Sequence, residues 1–140
     1  MTNKRTISQY VEDALENMLK AQEFLKDVSE EAFYKDVQKQ YAIRQAIEIV
    51  GEAARNIPSS VREIYPEIPW KDITGIRDRI AHGYYEVNLK IVWEVVNKDI
   101  PINKVAFEKI KQDLVEGKLE QVLKSHNEEI KHQPHRGRHR

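Results

Sequence analysis

The sequence predicts an all-α fold, and three observations support this. The 140-residue chain contains only five glycines and five prolines, 33% of its residues are charged, and no segment alternates convincingly between apolar and polar residues. Apolar residues instead recur every three or four positions, as they do on one face of a helix. A chain of this length makes one domain and buries roughly 68% of its unfolded surface, so it needs no disulfide or structural metal.

Two long helices are expected first. One begins near Ile7, after a capping box formed by Thr6 and Gln9, and follows an apolar stripe for about 20 residues. The other is predicted from about Ser29 to Asn56. Its segment from Ile43 to Ala54 is apolar around most of its circumference, which indicates burial in the bundle centre or at a subunit interface. Gly51, with Ala53 and Ala54, is expected to let two helices approach closely, either within the bundle or between subunits.

Shorter helices are predicted after this pair. Trp70 and Trp93 lie in apolar helical patterns, so we expect them to be core or interface anchors rather than platforms that stack on bases. The predicted limits are Ser60 to Glu63 at a capping box, Trp70 to about His82 ahead of a C-cap at Gly83, Asn88 to Pro101, and Asn103 to Val115 or, past Gly117, Leu123.

Composition divides the chain into a helical domain, residues 1–125, and a basic tail rich in His and Arg, residues 126–140. The tail lacks apolar periodicity and is therefore expected to be disordered. Its last ten residues carry four basic side chains and no acidic one, whereas the other 130 residues carry 19 basic and 23 acidic side chains. Because the body is mildly acidic, any nucleic-acid partner has to be held by a local basic patch or by the tail.

Several classes of protein are excluded by composition. The absence of cysteine rules out a disulfide scaffold, a Cys-based zinc site and a thiol nucleophile. No apolar run approaches the ~20 residues that span a bilayer, and the first residues lack the apolar core of a secretory signal. We therefore expect a soluble, cytoplasmic protein with no membrane partner.

The chemistry-bearing residues cluster around His82, since the other four histidines lie in or beside the tail. His82 stands at the predicted end of a helix, where a histidine that caps the last carbonyls is the simplest interpretation. It also belongs to the pattern Arg77-x4-His82-x-Tyr84, in which Asp78 follows the arginine and Tyr85 is a second hydroxyl. No cluster with metal-ligand spacing lies near it, so neither a metal nor a cofactor is expected.

The order and spacing of the segments around this pattern closely resemble the HEPN superfamily. Within it they resemble the HepT-like toxins that are encoded beside a minimal nucleotidyltransferase called MntA. The resemblance spans about residues 5–116 and is carried by these residues: Val50 to Ala54, Tyr65 to Trp70, Ile73 to Arg77, His82, Tyr84, Val92 to Val96, and Asp99 to Pro101.

The resemblance implies an antiparallel helical bundle that forms a homodimer and acts as a metal-independent endoribonuclease on cellular RNA such as tRNA or mRNA. Arg77 and His82 would be its catalytic pair at the dimer interface, with Asp78 as the polar residue that follows the arginine. It further implies a toxin of a type VII toxin–antitoxin pair, which an MntA-type nucleotidyltransferase antitoxin binds in a hetero-oligomer and neutralises by AMPylation of Tyr84, or alternatively Tyr85.

The residue chemistry is compatible with RNA cleavage. One imidazole cannot be base and acid at once, whereas a two-fold dimer supplies two copies of His82, and paired Arg77 guanidiniums can bind phosphate. A non-catalytic subunit that presents a nucleotide or substrate to the transferase explains the same residues, and a purely structural dimerisation bundle has no need for them. Arg44 and Arg55 on the central helix either extend a phosphate-binding surface or are solvated and ion-paired.

Overall fold

The structure, a computed structural model, describes residues 5–82 and 86–132, without the side chains of His82, Glu86 and residues 128–132. The all-α prediction is confirmed. The helices in this part of the chain are α1 (Ile7–Phe24), α2 (Glu30–Lys35), α3 (Val37–Arg55), α4 (Ser59–Arg62), α5 (Trp70–Thr74), α6 (Ile76–Ile80), α7 (Leu89–Glu94), a π-helical segment (Val95–Asp99), α8 (Ile100–Val115) and α9 (Glu120–His132). Two two-residue strands, β1 (Ala81–His82) and β2 (Glu86–Val87), pair antiparallel between α6 and α7. None of the helices described is both long enough and apolar enough to cross a membrane.

The first helix begins as predicted. The Thr6 hydroxyl accepts a hydrogen bond from the Gln9 backbone N–H at 3.1 Å, and the Gln9 side chain accepts one from the Thr6 N–H at 2.7 Å. These two bonds satisfy donors that a helix start otherwise leaves unpaired. Beyond the cap, α1 packs along α3 and against α8, and the core forms between them. Its fully buried members include Val11, Ala14, Met18, Ile43, Ile47, Phe107 and Ile110.

The predicted second helix is wrong in one respect, because the chain breaks at Asp36. The Asp36 backbone is extended, with φ −107° and ψ 93°, and its carboxylate accepts the Lys39 N–H at 3.0 Å. Gln40 then donates its amide to the Phe33 carbonyl at 3.0 Å, which satisfies the end of α2. An aspartate gains more by capping a new helix than by continuing the old one, so the apolar pattern alone did not reveal the break.

The apolar segment of α3 is buried within a single chain. Ile43, Ile47, Val50 and Ala54 are all in the core of the protomer. Of the two alternatives that the sequence left open, burial in the bundle centre accounts for these residues. The reason is that α1, α5, α6 and α7 all pack on α3 and cover it from several sides. A subunit interface has to be argued from other residues.

Two capping predictions in the later helices also fail. At α4, Pro58 occupies the N-cap position and the predicted Ser60 cap is not formed; the Ser60 hydroxyl is buried without a hydrogen-bond partner. Farther along, Asn103 lies buried inside α8 rather than at its start. Pro101 does not end a helix: it stands in the first turn of α8, directly after the π-helical segment Val95–Asp99.

The connection into α8 runs without a loop. The predicted Asn88 cap is confirmed, since its side chain accepts the Ile91 N–H at 3.1 Å. The chain then passes from α7 through the π-helical segment Val95–Asp99 directly into α8. A π-helical turn inserts an extra residue into the helix, which shifts the register of the side chains that follow.

The boundary predicted at residue 125 falls inside a helix. Gly117, at φ +74°, turns the chain after α8, and α9 then continues to His132. Leu119 is buried and Val122 and Leu123 pack on the core, which anchors the start of α9. Residues 126–132, expected to be disordered, are helical because no helix breaker occurs before Pro134. Residues 133–140 lie outside the described part.

Candidate active site

The motif arginine lies on a short helix that is anchored by its neighbours. Ile76 and Ile80 of α6 are buried in the core, at 4% and 2% exposure, while Arg77 and Asp78 are exposed to solvent. Successive residues on a helix are about 100° apart, so Arg77 sits at the edge of the buried face and not opposite to it. The guanidinium is therefore held beside the protein surface and is open to a ligand.

His82 does not lie on the helix that carries Arg77. That helix was predicted to run from Trp70 to about His82, but it breaks at Gly75 and ends at Ile80; Ala81 is extended, with φ −67° and ψ 139°. His82 belongs to β1, where its backbone pairs with Glu86. The helix end is closed instead by the Asn88 N–H, which donates to the Ile80 carbonyl at 2.6 Å.

This turn changes one expectation. His82 lies in β1, two residues beyond the end of α6, so its backbone does not occupy the helix C-terminus that was predicted for it. Gly83, Tyr84 and Tyr85 lie outside the described residues, as does the side chain of His82.

The position of α5 and α6 on the bundle is set by α3. A Cβ at Gly51 would lie 2.8 Å from Ile76 Cγ2 and 2.9 Å from the Ile73 carbonyl oxygen, both closer than van der Waals contact. Arg55 donates to the Thr74 carbonyl at 2.7 Å, next to the break between the two short helices. The predicted role of Gly51 in a close helix approach is confirmed, and the approach is within one chain.

Arg79 fixes the opposite edge of α6, a role that no sequence pattern indicated. Its guanidinium lies 3.3 Å from the Asp99 carboxylate at the end of the π-helical segment. About 200° of rotation separates Arg77 from Arg79, so the two arginines point to opposite edges of the helix. Only the edge with Arg79 meets the α8 side of the bundle. Arg79 and Asp99 are separated by 20 positions in the sequence, which explains why no local pattern linked them.

A buried polar pair supports the start of α5. The Tyr65 hydroxyl donates to the Asp113 carboxylate at 2.6 Å, and the Tyr65 carbonyl accepts the Trp70 indole N–H at 3.0 Å. Burial, followed by the bond to Asp113, raises the pKa of the Tyr65 phenol, and the bond from Tyr65 is the main cause of a lowered pKa at Asp113. This pair links α8 to the segment that precedes the motif.

The two tryptophans are packing residues, as predicted. Trp70 packs against the core and its ring centroid lies 5.4 Å from that of Phe107. Trp93 packs in the same way, 5.9 Å from Phe33. Both rings therefore contribute to packing within the bundle.

The described residues contain no group of three or more His, Cys, Asp or Glu side chains arranged to hold a metal ion. The site therefore presents cationic and hydrogen-bonding groups: an exposed guanidinium at Arg77, a carboxylate at Asp78, and a hairpin that carries His82. Guanidiniums suit phosphate, to which they donate two parallel hydrogen bonds.

A model of the family described as ribonuclease HepT-like matches residues 14–110, which include α6 and β1. The chain belongs to the HepT-like family. It is 38% identical over 109 residues to "Probable ribonuclease HepT" of Thermococcus cleftensis, an alignment that covers 78% of this chain and 99% of the relative. No solved structure matches it.

Further relatives of this HepT-like chain carry similar descriptions. A "Putative RNase" of Methanocaldococcus jannaschii is 40% identical over 120 residues, covering 86% of this chain and 98% of the relative. A "Putative RNase" of Caldanaerobacter subterraneus is 43% identical over 91 residues, covering 62% of this chain and 81% of the relative. The likeness thus extends over nearly the whole length of several relatives.

Proposed function

We propose that this HepT-like protein is a metal-independent endoribonuclease in which Arg77 and His82 are the catalytic residues. One observation carries the proposal: Arg77 is exposed on an anchored helix, and the hairpin that bears His82 follows directly, within a family described as ribonuclease. His82 is two residues beyond the end of α6, and its backbone pairs with Glu86, which leads into α7, so His82 lies near the end of α6.

The reaction uses the RNA's own 2′-hydroxyl as nucleophile. A neutral His82 takes the proton of that hydroxyl as its oxygen bonds to phosphorus. A charged His82 gives a proton to the 5′-oxygen, which leaves as the phosphorus–oxygen bond breaks. The products are a 2′,3′-cyclic phosphate and a 5′-hydroxyl. Arg77 donates hydrogen bonds to the phosphate oxygens, whose charge increases in the transition state.

The need for two protonation states supports a homodimer. A two-fold axis beside α6 would bring two copies of His82 and Arg77 to one cleft, and one imidazole could be neutral while the other is charged. Asp78, exposed next to Arg77, would orient a neighbouring cation in this cleft. The apolar face of α3 is used inside the protomer, so this interface is expected to centre on α6 and the hairpin.

Control of the activity forms the second part of the proposal. A nucleotidyltransferase partner of the MntA type would add adenylate to Tyr84, or to Tyr85, and so neutralise a toxin. Each adenylate brings a negative phosphodiester next to Arg77 and His82 in the sequence, where it would compete with the substrate phosphate. ATP and Mg²⁺ would be held by the transferase.

Growth and cleavage assays test the catalytic proposal together. Expression of the wild type is expected to arrest growth, and the purified protein to cut RNA in the presence of EDTA. His82→Ala should abolish both effects while the protein remains folded. His126→Ala, which removes a half-exposed histidine of α9, is the matched control and should behave as wild type.

The same assays separate the rival function. A non-catalytic binding subunit would leave growth unaffected and RNA intact, yet Arg77→Ala would still weaken binding of a nucleotide or of the transferase. Cleavage that EDTA abolishes would contradict metal independence. Adenylate label that persists in Tyr84→Phe would move the modification site to another residue, with Tyr85→Phe as the next variant.

A further inference from the structure

The arginines of the helical body fall into two groups. Four of them make a side-chain hydrogen bond to a protein acceptor, at 2.7 to 3.3 Å, and these are Arg5, Arg55, Arg62 and Arg79. Arg44 and Arg77 have no such acceptor among the described residues. Within the described part of the chain, these two guanidiniums therefore keep donors that no protein acceptor uses, and such donors can serve a ligand.

Arg44 lies partly buried on α3 and makes only a long ion pair. Its nearest carboxylate is Glu48, 3.9 Å away, which is longer than a hydrogen bond. Its Nε is buried with no acceptor, although the side chain as a whole is 36% exposed. The Tyr41 ring lies beneath the guanidinium, with 5.7 Å from Cζ to the ring centroid, within the range of a cation–π contact.

Tyr41 itself is unusually open for an aromatic residue. It is 66% exposed, in contrast to Trp70 and Trp93, which pack on the core. One turn of α3 separates Tyr41 from Arg44, so the ring and the guanidinium form one adjacent pair on the helix surface. An exposed ring beside an uncommitted guanidinium is the combination that binds single-stranded nucleic acid, by stacking a base and pairing a phosphate.

The helix register places this pair beside the motif helix. Gly51 contacts Ile76, and Arg55 bonds to Thr74, so the chain from α5 into α6 runs antiparallel to α3. Arg44 is seven residues before Gly51, which puts it on the same side of α3 and about 10 Å farther along the direction in which α6 runs.

Arg77 lies on the matching edge of α6. The other edge carries Arg79, which is turned toward Asp99 and the α8 side of the bundle. Arg77, about 200° away, therefore lies on the side where α3 presents Arg44 and Tyr41. Arg44 and Arg77, which have no hydrogen-bond acceptor among the described residues, thus flank one surface strip formed by α6 and the first half of α3.

We propose that Tyr41 and Arg44 form an RNA-binding subsite next to the cleavage site, where Arg44 contacts a phosphate and Tyr41 stacks on the base of a nucleotide near the scissile bond. This inference rests on the proposed ribonuclease function. The ligand is single-stranded RNA, because a base inside a duplex does not expose its face to a side chain.

Binding measurements on a cleavage-deficient background test the subsite. Full-length protein with His82→Ala is titrated with a single-stranded RNA oligonucleotide at several salt concentrations. Tyr41→Ala is expected to weaken binding about tenfold, and Tyr41→Phe, which keeps the ring, to leave it unchanged. Arg44→Gln should weaken binding several-fold and reduce the slope of log K against log salt by about 0.7, the value for one phosphate contact on a single strand.

A matched control removes a charge of the same kind elsewhere. Lys20 forms an i,i+4 pair with Glu16 at 3.2 Å on α1, as Arg44 does with Glu48 on α3. Lys20→Gln should change neither the affinity nor the salt slope. Thermal unfolding of each variant shows whether a lost affinity merely reflects lost structure, and Arg44→Lys, which keeps the charge, should restore the salt slope.

The outcomes distinguish this inference from the function on which it rests. If the wild type cleaves RNA but the Tyr41 and Arg44 variants bind RNA like their parent, the subsite is wrong and the function stands. If the wild type neither cleaves nor binds RNA, both are wrong. If Tyr41→Ala lowers the sedimentation mass while affinity per subunit is unchanged, the ring belongs to an interface with a second copy and the subsite is overturned.

Discussion

The long helices of the bundle and the segment that carries the motif are built in different ways. α1 and α3, with 18 and 19 residues, present continuous apolar stripes to the core. Residues 70–87 instead form two five-residue helices and a pair of two-residue strands. Isolated helices that short do not form in water, so the motif segment owes its shape to contacts with α3 and the π-helical segment.

This difference separates stability from activity. Changes in the long helices should act first on the free energy of unfolding, whereas changes at the contacts that hold α6 should act first on the site.

The largest loss is expected at Ile43, which is fully buried in α3. Ile43→Ala removes apolar contacts and leaves a cavity, which costs about 2–5 kcal/mol. Chemical denaturation with urea measures the change. Under conditions in which part of the variant is still folded, each folded molecule should keep its RNA-cleaving activity. A loss of activity that exceeds the loss of folded protein would contradict the separation of stability from activity.

Gly51→Ala should lower both the free energy of unfolding and the activity. The new methyl would lie 2.9 Å from the Ile73 carbonyl oxygen, a backbone atom that cannot rotate away. Overpacking costs about 1–3 kcal/mol, and the better helix propensity of alanine returns at most about 1 kcal/mol. We expect a net destabilisation. We also expect kcat to fall by more than the loss of folded protein explains, because α6 is displaced. Glu52→Ala, at the exposed neighbouring position, is the control and should change neither.

The Tyr65–Asp113 pair predicts a pH dependence of stability. Because the bond from Tyr65 lowers the pKa of Asp113, this carboxylate stabilises the folded state above its unfolded pKa, about 3.9, and the stabilisation is lost as the pH falls through the lower folded value. Tyr65→Phe removes the main cause of the shift. Its deficit in unfolding free energy should be greatest near neutral pH and shrink below about pH 4; a deficit that stays constant with pH would contradict the assignment.

The smallest loss of stability is expected at Arg79. Its pair with Asp99 is about one-third exposed on each side, and such pairs contribute up to about 1 kcal/mol. Arg79→Gln nevertheless frees one edge of α6, so kcat should fall about tenfold while KM changes little. Arg62→Gln, which loses a single bond to the Ile57 carbonyl, serves as the control. Equal effects of the two variants on kcat would remove Arg79 as a positioning residue.

Sequence reasoning succeeded where the structure depends on local or periodic signals. The Thr6–Gln9 cap, the Asn88 cap and the close approach at Gly51 are all read from neighbouring residues or from a missing Cβ. It failed where a tertiary contact overrides the pattern. The helix ends at Ile80 because Asn88, eight residues away, binds its last carbonyl. No residue pattern within the motif predicts the hairpin. Arg79 cannot be distinguished from Arg77 in the sequence, because its contact with Asp99 is tertiary.

The structure bears on the setting of the candidate site residues and not on their roles. Arg77 and Asp78 are exposed on α6, whereas His82 lies in β1 and not in the predicted helix. The roles of Arg77, Asp78, His82 and Tyr84 all stay predictions. Arg44 and Arg55 were indistinguishable in the sequence, where both sit on the central helix. The structure separates them, because only Arg55 is tied to a backbone carbonyl.

Analysis of the RNA ends tests the central claim most directly. The protein is incubated in EDTA with an oligonucleotide that it cuts, and with the same oligonucleotide carrying a single 2′-deoxy nucleotide at the cleavage position. Mass spectrometry should show a 2′,3′-cyclic phosphate and a 5′-hydroxyl from the first, and no cleavage at that position in the second. Equal cleavage of both, or a 5′-phosphate product, would mean that the 2′-hydroxyl is not the nucleophile and that Arg77 and His82 do not act as proposed.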